Sequence, residues 1–150
     1  FDLNGLQGFD NDHGGYDEEE KIIYQYDKTG LHAGFSTISQ PTHHEVSLTK
    51  EFDLGQERLN LSNEISEDGG EILSALQIEF QTLKPRNSFQ TALSISGGLS
   101  KEELFTNIIE GKRDAIKYLG QVNRNVRSKL RNQQEAGFIK LNRKEAQECD

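Results

Sequence analysis

Two stretches of alternating residues on either side of a short turn limit the folds that this chain can adopt. In residues 76–81 and again in residues 89–95, apolar and polar residues take turns along the sequence. Period-two alternation places one set of side chains on a buried face and the other in water, as in a β-strand. Between the stretches, Pro85 presets φ for a turn. The pattern predicts a β-hairpin over residues 76–95.

A helical segment is predicted to follow this hairpin directly. Gly97 and Gly98 break the strand, and Ser100 and Glu103 match a capping box, in which each side chain bonds to the backbone N–H of the other residue. Apolar residues then recur at spacings of three, four and seven, which places them on one helical face. Because glycine weakens a helix by up to about 1 kcal/mol relative to alanine, we expect a break near Gly120 and therefore two helices.

Upstream of the hairpin, residues 21–70 contain four more strand-like stretches joined by short turns. Short turns imply antiparallel pairing, since a parallel crossover needs about a dozen residues. The sequence therefore predicts an α+β fold, with a roughly six-stranded, mostly antiparallel sheet or sandwich followed by two C-terminal helices that cover one sheet face. The contacts expected between them join Leu104, Ile108, Leu119 and Val126 of the helices to Ile78, Phe80 and Leu93 of the sheet.

The first twenty residues differ from the rest in glycine content and charge. They hold seven acids and no Lys or Arg, and so supply most of the net charge of −8. We predict an extended, flexible, acidic arm over 1–20 and one α+β domain over 21–150, which is β-rich at 21–96, helical at 100–135 and a tail at 136–150. The apolar residues that would attach the arm to a groove are Phe1, Leu3, Leu6 and Phe9.

The chain ends suggest how the protein is processed. It begins at Phe1 and contains no methionine, which favours proteolytic maturation and an extracellular or particle-associated location over a cytoplasmic one. The single cysteine, Cys149, excludes an internal disulfide and is either a spare thiol or an intermolecular bridge. No run approaches the roughly 18 apolar residues that span a bilayer, so no membrane span is expected.

No catalytic or cofactor-binding pattern stands out, and we expect neither a metal nor another cofactor. His43 and His44, followed by Glu45, are the most metal-like cluster, and His32 is the nearest further candidate. Adjacent histidines in a strand point to opposite faces, so at most one of the pair joins a given site. Nucleophile-elbow and phosphate-loop motifs are absent from the sequence.

Basic residues concentrate in residues 112–131, where seven of them are opposed only by Asp114. One interpretation is a basic helix that faces nucleic acid or another acidic surface. A second is the solvated face of an amphipathic helix, and a third pairs this helix with the acidic arm of the same or another copy. The basic residues considered for such contacts are Lys112, Arg113, Lys117, Arg124, Arg127 and Arg131.

Together these features predict a non-catalytic structural or binding protein that acts through protein–protein contacts. Its own copies are the first candidate partner, with the N-terminal arm as the contact element and a homo-oligomer as the product. A nucleic-acid-associated protein that uses residues 112–131 is the second interpretation, although the net charge of −8 weighs against it. A hydrolase that combines a carboxylate with His43 or His44 is the third.

Overall fold

The computed structural model describes Leu3 and residues 11–50, 60–79 and 82–147, with residues 125–147 described by their backbone alone. These residues form six strands and one helix. In chain order the elements are β1 (His13–Asp17), β2 (Ile22–Tyr26), β3 (His32–Thr37), β4 (His43–Leu48), β5 (Ile72–Gln77), β6 (Leu93–Gly98) and α1 (Lys101–Gln147).

The strands form two separate antiparallel sheets. The larger sheet has the order β1-β2-β3-β6, and the smaller sheet contains β4 and β5. The β2–β3 turn depends on Asp27, whose carboxylate accepts hydrogen bonds from the backbone N–H groups of Thr29 and Leu31 and from the hydroxyl of Thr29. The Thr29 hydroxyl, followed by the backbone donors, lowers the pKa of Asp27.

The adjacent residues Ile22 and Ile23 show how the layers are arranged. Both are fully buried, but they point to opposite faces of the larger sheet, as period two requires. Ile23 packs between the sheets with Val46 and Ile72. Ile22 packs on the other face against Leu104 and Ile108 of α1. Residues 11–115 therefore contain three layers: the small sheet, the large sheet and the start of the helix.

The start of α1 agrees with the predicted capping box. The backbone N–H of Glu103 donates to the hydroxyl of Ser100 over 3.1 Å, and the Glu103 carboxylate accepts from the N–H of Leu99 over 2.8 Å. Gly98 lets this first turn lie against β6, because a Cβ at Gly98 would come within 2.7 Å of the backbone nitrogen of Leu104.

The prediction of two helices is wrong, because α1 runs from Lys101 to Gln147 without a break at Gly120 or Gly137. A cost of about 1 kcal/mol per glycine is small beside the hydrogen bonds that a continuous helix retains. Two compact units divide the chain at residues 1–115 and 116–150. In the second unit the structure describes only helix, residues 116–147.

The predicted hairpin over residues 76–95 is also wrong. β5 pairs with β4, whereas β6 pairs with β3 in the other sheet. The turn between them does form, since the N–H of Asn87 donates to the carbonyl of Lys84 over 3.0 Å and Arg86 has a φ of 70°. Alternation thus identified strand-forming stretches without identifying their partners.

The predicted arm over 1–20 is too long. Residues 13–17 form β1, which pairs with β2 over its whole length, and Asp12 is buried at a bridge with Gly70. Two of the expected helix contacts, Leu104 and Ile108, are fully buried. They pack on Ile22 rather than on Leu93, which lies on the other face of the sheet.

Candidate functional site

The basic residues of the helix do not all remain available for a partner. Lys112 donates from Nζ to the backbone carbonyl of Glu20 over 2.9 Å, which fastens α1 to the β1–β2 turn. Arg124 donates from Nε to the carbonyl of Gly120 within the second unit, and Arg113 is exposed in the first. Lys117 is exposed and interacts with other groups of the chain. Arg127 and Arg131 are described by their backbone alone.

The residues predicted for the arm and the thiol are largely outside the described residues. Phe1, Leu6, Phe9 and Cys149 all fall there, and Leu3 is half-buried at a bend. The contacts predicted for them stay predictions.

The histidines fall into two groups, one on the large sheet and one on β4 of the small sheet. His32 stacks on Tyr26 with ring centroids 5.6 Å apart, and His13 stacks on the other side of Tyr26. These rings lie on the face that α1 partly covers. His43 and His44, at the start of β4, are instead beside the β1–β2 turn. Among the described residues, no three His, Cys, Asp or Glu side chains are grouped as metal ligands.

A cleft of about 420 Å³, the histidine cleft, brings together three segments that are distant in sequence. The residues that line it are Tyr16, Glu18, Lys21, Pro41, Thr42, His43, His44, Asn63 and Ile65. The Tyr16 and His44 rings stack with centroids 3.7 Å apart and planes inclined by 17°. Two lining residues, Lys21 and Asn63, have left-handed backbones with φ of 56° and 62°, a conformation that β-branched or bulky residues rarely adopt.

Burial and one ion pair set the electrostatics of this cleft. Burial raises the pKa of Tyr16 and lowers that of His44. Lys21 donates to the Glu18 carboxylate over 2.7 Å, which lowers the pKa of Glu18 and raises that of Lys21. The cleft therefore contains a neutral imidazole near neutral pH, beside a balanced pair of charges.

His43 lies close to the carboxylate of Glu79. Nδ1 of His43 is buried and lies 3.7 Å from Oε1 of Glu79, which is longer than a hydrogen bond. The hydroxyl of Thr42, a neighbouring group, donates to the backbone of Gln77. In the described part of the cleft, no hydroxyl is hydrogen-bonded to either imidazole, as a nucleophile–base pair would be.

Residues 60–66, here called the strap, run along the outer edge of β4. Asn63 bonds to both backbone groups of His44, over 3.0 and 2.9 Å. The N–H of Val46 donates to Glu64, and the N–H of Ser66 donates to Val46. The buried carboxylate of Glu45 accepts from the N–H of Ser62 over 2.8 Å. The strap therefore satisfies the outward N–H and C=O groups of His44 and Val46.

The outer edge of β6 is different, because no strap runs along it in the described residues, and only the carbonyl of Gly97 near its end accepts from Nδ2 of Asn107 on α1, over 3.1 Å. Within the described residues, β6 pairs with β3 alone. Ser94 faces α1 and donates to the carbonyl of Ile108, so Leu93 and Ile95 point to the opposite face, where they are 52% and 57% exposed. We call Leu93, Ile95 and the free edge of β6 the β6 surface. The small sheet packs against β1 and β2, so it does not cover these side chains.

The β6 surface lies in an uncharged stretch of the sequence. No charged residue occurs in the fourteen residues between Arg86 and Lys101, although charged residues make up 28% of the chain. The other outer strands of the sheets are different, since β1 contains Asp17 and β5 follows Glu71. Leu93 was predicted to be buried, but it is exposed on this surface.

Comparisons with protein-family models, with curated proteins and with solved structures found no match to this chain. In the described residues, no helix combines the length and the apolar character that crossing a membrane requires. Neither result assigns a function.

Proposed function

We propose that this chain is a non-catalytic structural or binding protein that associates with copies of itself through the β6 surface. The observation that carries the proposal is the exposure of Leu93 and Ile95 on an uncharged strand that pairs with β3 alone in the described part of the chain. The N-terminal arm stays a predicted second contact element.

Electrostatics favour this location for contact between copies. Two chains that each carry a net charge of −8 repel one another. Two copies that meet at the fourteen uncharged residues 87–100 avoid placing like charges of that stretch against each other. Strands that natural proteins keep from pairing usually carry a Lys, a Pro or an inward charge at the edge. β6 has none of these within Leu93–Gly98.

Strand geometry favours a second copy over an unrelated partner. A free strand edge presents a row of N–H and C=O groups, and an identical edge turned by a two-fold axis presents the complementary row. Antiparallel pairing of two β6 strands would satisfy both edges at once and close the assembly as a dimer. It would also bring the exposed Leu93 and Ile95 side chains of both copies together. Burying apolar surface contributes about 25 cal/mol per Å² to the free energy of association.

The test is sedimentation velocity on the full chain and on Ile95→Lys over a range of concentrations. We expect the unchanged chain to form a dimer. Ile95→Lys should raise the dissociation constant of that dimer by about a hundredfold or more. The substitution places one cation from each copy in the same interface, and like charges there cost several kcal/mol.

The matched control is Ile116→Lys. Ile116 is also 57% exposed, so the two variants change the same residue type, at the same exposure, by the same charge. We expect Ile116→Lys to leave the dimer intact. A monomeric unchanged chain would contradict the proposal, and so would an Ile116→Lys variant that dissociates as readily as Ile95→Lys, since that result would assign the contact to α1.

A further inference from the structure

The backbone groups of β6 alternate between β3 and the outer edge of the sheet. One position before the strand, the N–H of Ile38 donates to the carbonyl of Ala92 over 3.1 Å, and these two residues lie opposite each other when the β3–β6 register is continued. Hydrogen-bonded and non-hydrogen-bonded positions alternate along an antiparallel pair. Every second residue from Ala92 therefore bonds to β3. The residues of β6 whose N–H and C=O groups point outward are Leu93, Ile95 and Gly97.

Side chains of α1 occupy one end of this outer edge. The carbonyl of Gly97 accepts from Nδ2 of Asn107 over 3.1 Å. The N–H of Leu99, the next residue in the same alternation, donates to the carboxylate of Glu103 over 2.8 Å. Within the described residues β6 pairs with β3 alone. The helix therefore leaves to a second copy the two outward residues toward the start of the strand.

Two copies of β6 can pair antiparallel in three registers that keep most of the strand in the ladder. Residues that lie opposite each other at a hydrogen-bonded position exchange both N–H···O bonds, so outward residues of one copy meet outward residues of the other. The two-fold axis then passes beside Leu93, Ser94 or Ile95. We name the three registers after these residues.

The Ile95 register conflicts with α1. It places Leu93 opposite Gly97 of the second copy, whose carbonyl is already bonded to Asn107. It also sets the exposed leucine against a residue without a side chain, so this apolar surface gains no cross-strand partner.

The Leu93 register extends beyond the strand. It places Ile95 opposite Thr91 of the second copy, which precedes the start of β6. An exposed aliphatic side chain then faces a threonine hydroxyl, and part of the pairing depends on residues that do not belong to the sheet of the single chain.

The Ser94 register avoids both conflicts. Leu93 of each copy lies opposite Ile95 of the other, so each apolar side chain has an apolar partner on the same face and each pair exchanges both backbone bonds. We infer that two copies join in this register and that Asn107 favours it by holding Gly97 out of the pairing. The inference rests on the proposed association through the β6 surface and adds which residues meet there.

Disulfide formation between single-cysteine chains tests the register. The chains are Leu93→Cys, labelled with the heavy nitrogen isotope, and unlabelled Ile95→Cys, each with Cys149→Ser so that the new thiol is the only one. They are mixed equally, oxidised above the dimer dissociation constant and weighed by mass spectrometry. Opposite residues have Cα atoms about 5.5 Å apart, which a disulfide bridges, whereas like positions in the Ser94 register are about 8 Å apart, beyond its reach.

We expect mixed disulfides to exceed either like pair by about tenfold, against about twofold for random encounter. An excess of Ile95→Cys pairs or of Leu93→Cys pairs would overturn the inference, and so would the random ratio, which means that no register is fixed. Sedimentation velocity on the unchanged chain separates these results from failure of the proposed function. A dimer with another register refutes the register alone, whereas a monomer refutes both.

The role of Asn107 has its own variant and control. Asn107→Ala releases the carbonyl of Gly97, so the share of Ile95→Cys like pairs should rise by about threefold to tenfold, as the loss of one hydrogen bond allows. Thr106→Ala changes the neighbouring exposed side chain, whose hydroxyl donates to Glu102 within the helix, and should leave the ratio unchanged. Equal ratios in the two variants would overturn the role of Asn107.

Discussion

The outer edges of β4 and β6 are treated in opposite ways within one molecule. The strap covers the edge of β4 with backbone hydrogen bonds, and the buried carboxylate of Glu45 on β4 accepts from the strap N–H of Ser62. Among the residues that the structure describes, no strap runs along the edge of β6, the strand carries no charge, and two large aliphatic side chains lie exposed beside it. Because an unpaired edge is a template for another strand, the covered edge is protected from pairing, and the bare one is available for it.

The two edges also differ in how much their residues contribute to the hydrophobic core. Residues beside the covered edge, such as Val46, pack into the core between the sheets. Residues on the bare edge contribute little to that core, since Ile95 is 57% exposed. The comparison therefore predicts that changes near β4 reduce stability, whereas changes on the outer face of β6 reduce association.

The largest expected difference is between Ile23→Ala and Ile95→Ala. Ile23 is fully buried between the sheets, so truncation should reduce the free energy of unfolding by about 2–5 kcal/mol through lost burial and a residual cavity. Ile95→Ala should change it by no more than about 0.5 kcal/mol in the monomer, as is usual for surface positions.

Urea unfolding of both variants, at a concentration low enough to keep the chains monomeric, measures this difference. The two variants remove the same atoms, so each is the control for the other. Equal losses would mean that the outer face of β6 is packed in the monomer, and the comparison of the edges would then fail.

A smaller effect is expected when one fastening of the strap is removed. Glu45 accepts from the N–H of Ser62 over 2.8 Å and from the hydroxyl of Ser47 over 2.9 Å. Glu45→Gln keeps a single acceptor oxygen and loses the charge. Because hydrogen bonds to charged groups contribute about 1.5–3 kcal/mol, we expect strap opening to become easier by about that amount.

Hydrogen exchange at the amides of Asn63 and Ser66, at a pH where His44 is neutral, reports the opening. Glu64→Gln is the matched control, since it removes the same charge from an exposed side chain of the strap itself. If both variants loosen the strap equally, the effect is one of net charge, and the Glu45 bonds do not hold the β4 edge.

The sequence allowed the local features to be predicted where the physics is local. Strands near residues 22–26 and 32–37 and the cap at Ser100 depend on alternation and on side chains within a few residues, and the structure confirms them. Strand partners depend on contacts between distant segments. Alternation shows which side chains share a face of a strand, but it does not show which strands pair with each other. For this reason β5 and β6 were paired incorrectly.

Glycines were the second source of error, because their role depends on neighbours that the sequence does not reveal. A Cβ at Gly14 would overlap with the side chain of Val46, and a Cβ at Gly15 would lie 2.5 Å from the ring of Tyr24. These glycines permit close packing of β1. In the sequence they lie near several acidic residues, and that combination led to the prediction of a flexible arm. The histidine cleft was missed for a related reason, since Tyr16, Lys21 and Asn63 meet only after three segments fold together.

The smallest predicted effects compare two glycines of α1. Nothing lies within 4 Å of a Cβ placed at Gly120, so Gly120→Ala should stabilise its helical unit by about 1 kcal/mol through helix propensity alone. A Cβ at Gly111 would overlap with the hydroxyl of Ser94, the β6 side chain that donates to Ile108. Gly111→Ala should therefore lose that buried bond and cost about 1–3 kcal/mol more than Gly120→Ala.

A double-mutant cycle decides whether this difference arises at the covered face of β6. Ser94→Ala removes the hydroxyl that the new methyl group would meet, and a Cβ at Gly111 would then lie 3.3 Å from the Cβ of residue 94, a tight but tolerable contact. In that background Gly111→Ala should cost less than it does alone, giving a coupling energy of about 0.5–3 kcal/mol in urea unfolding. Strict additivity would place the cost within α1 and show that the helix does not support β6 at this point. Coupling would instead show that the helix supports this face of β6, through the contact between Gly111 and Ser94.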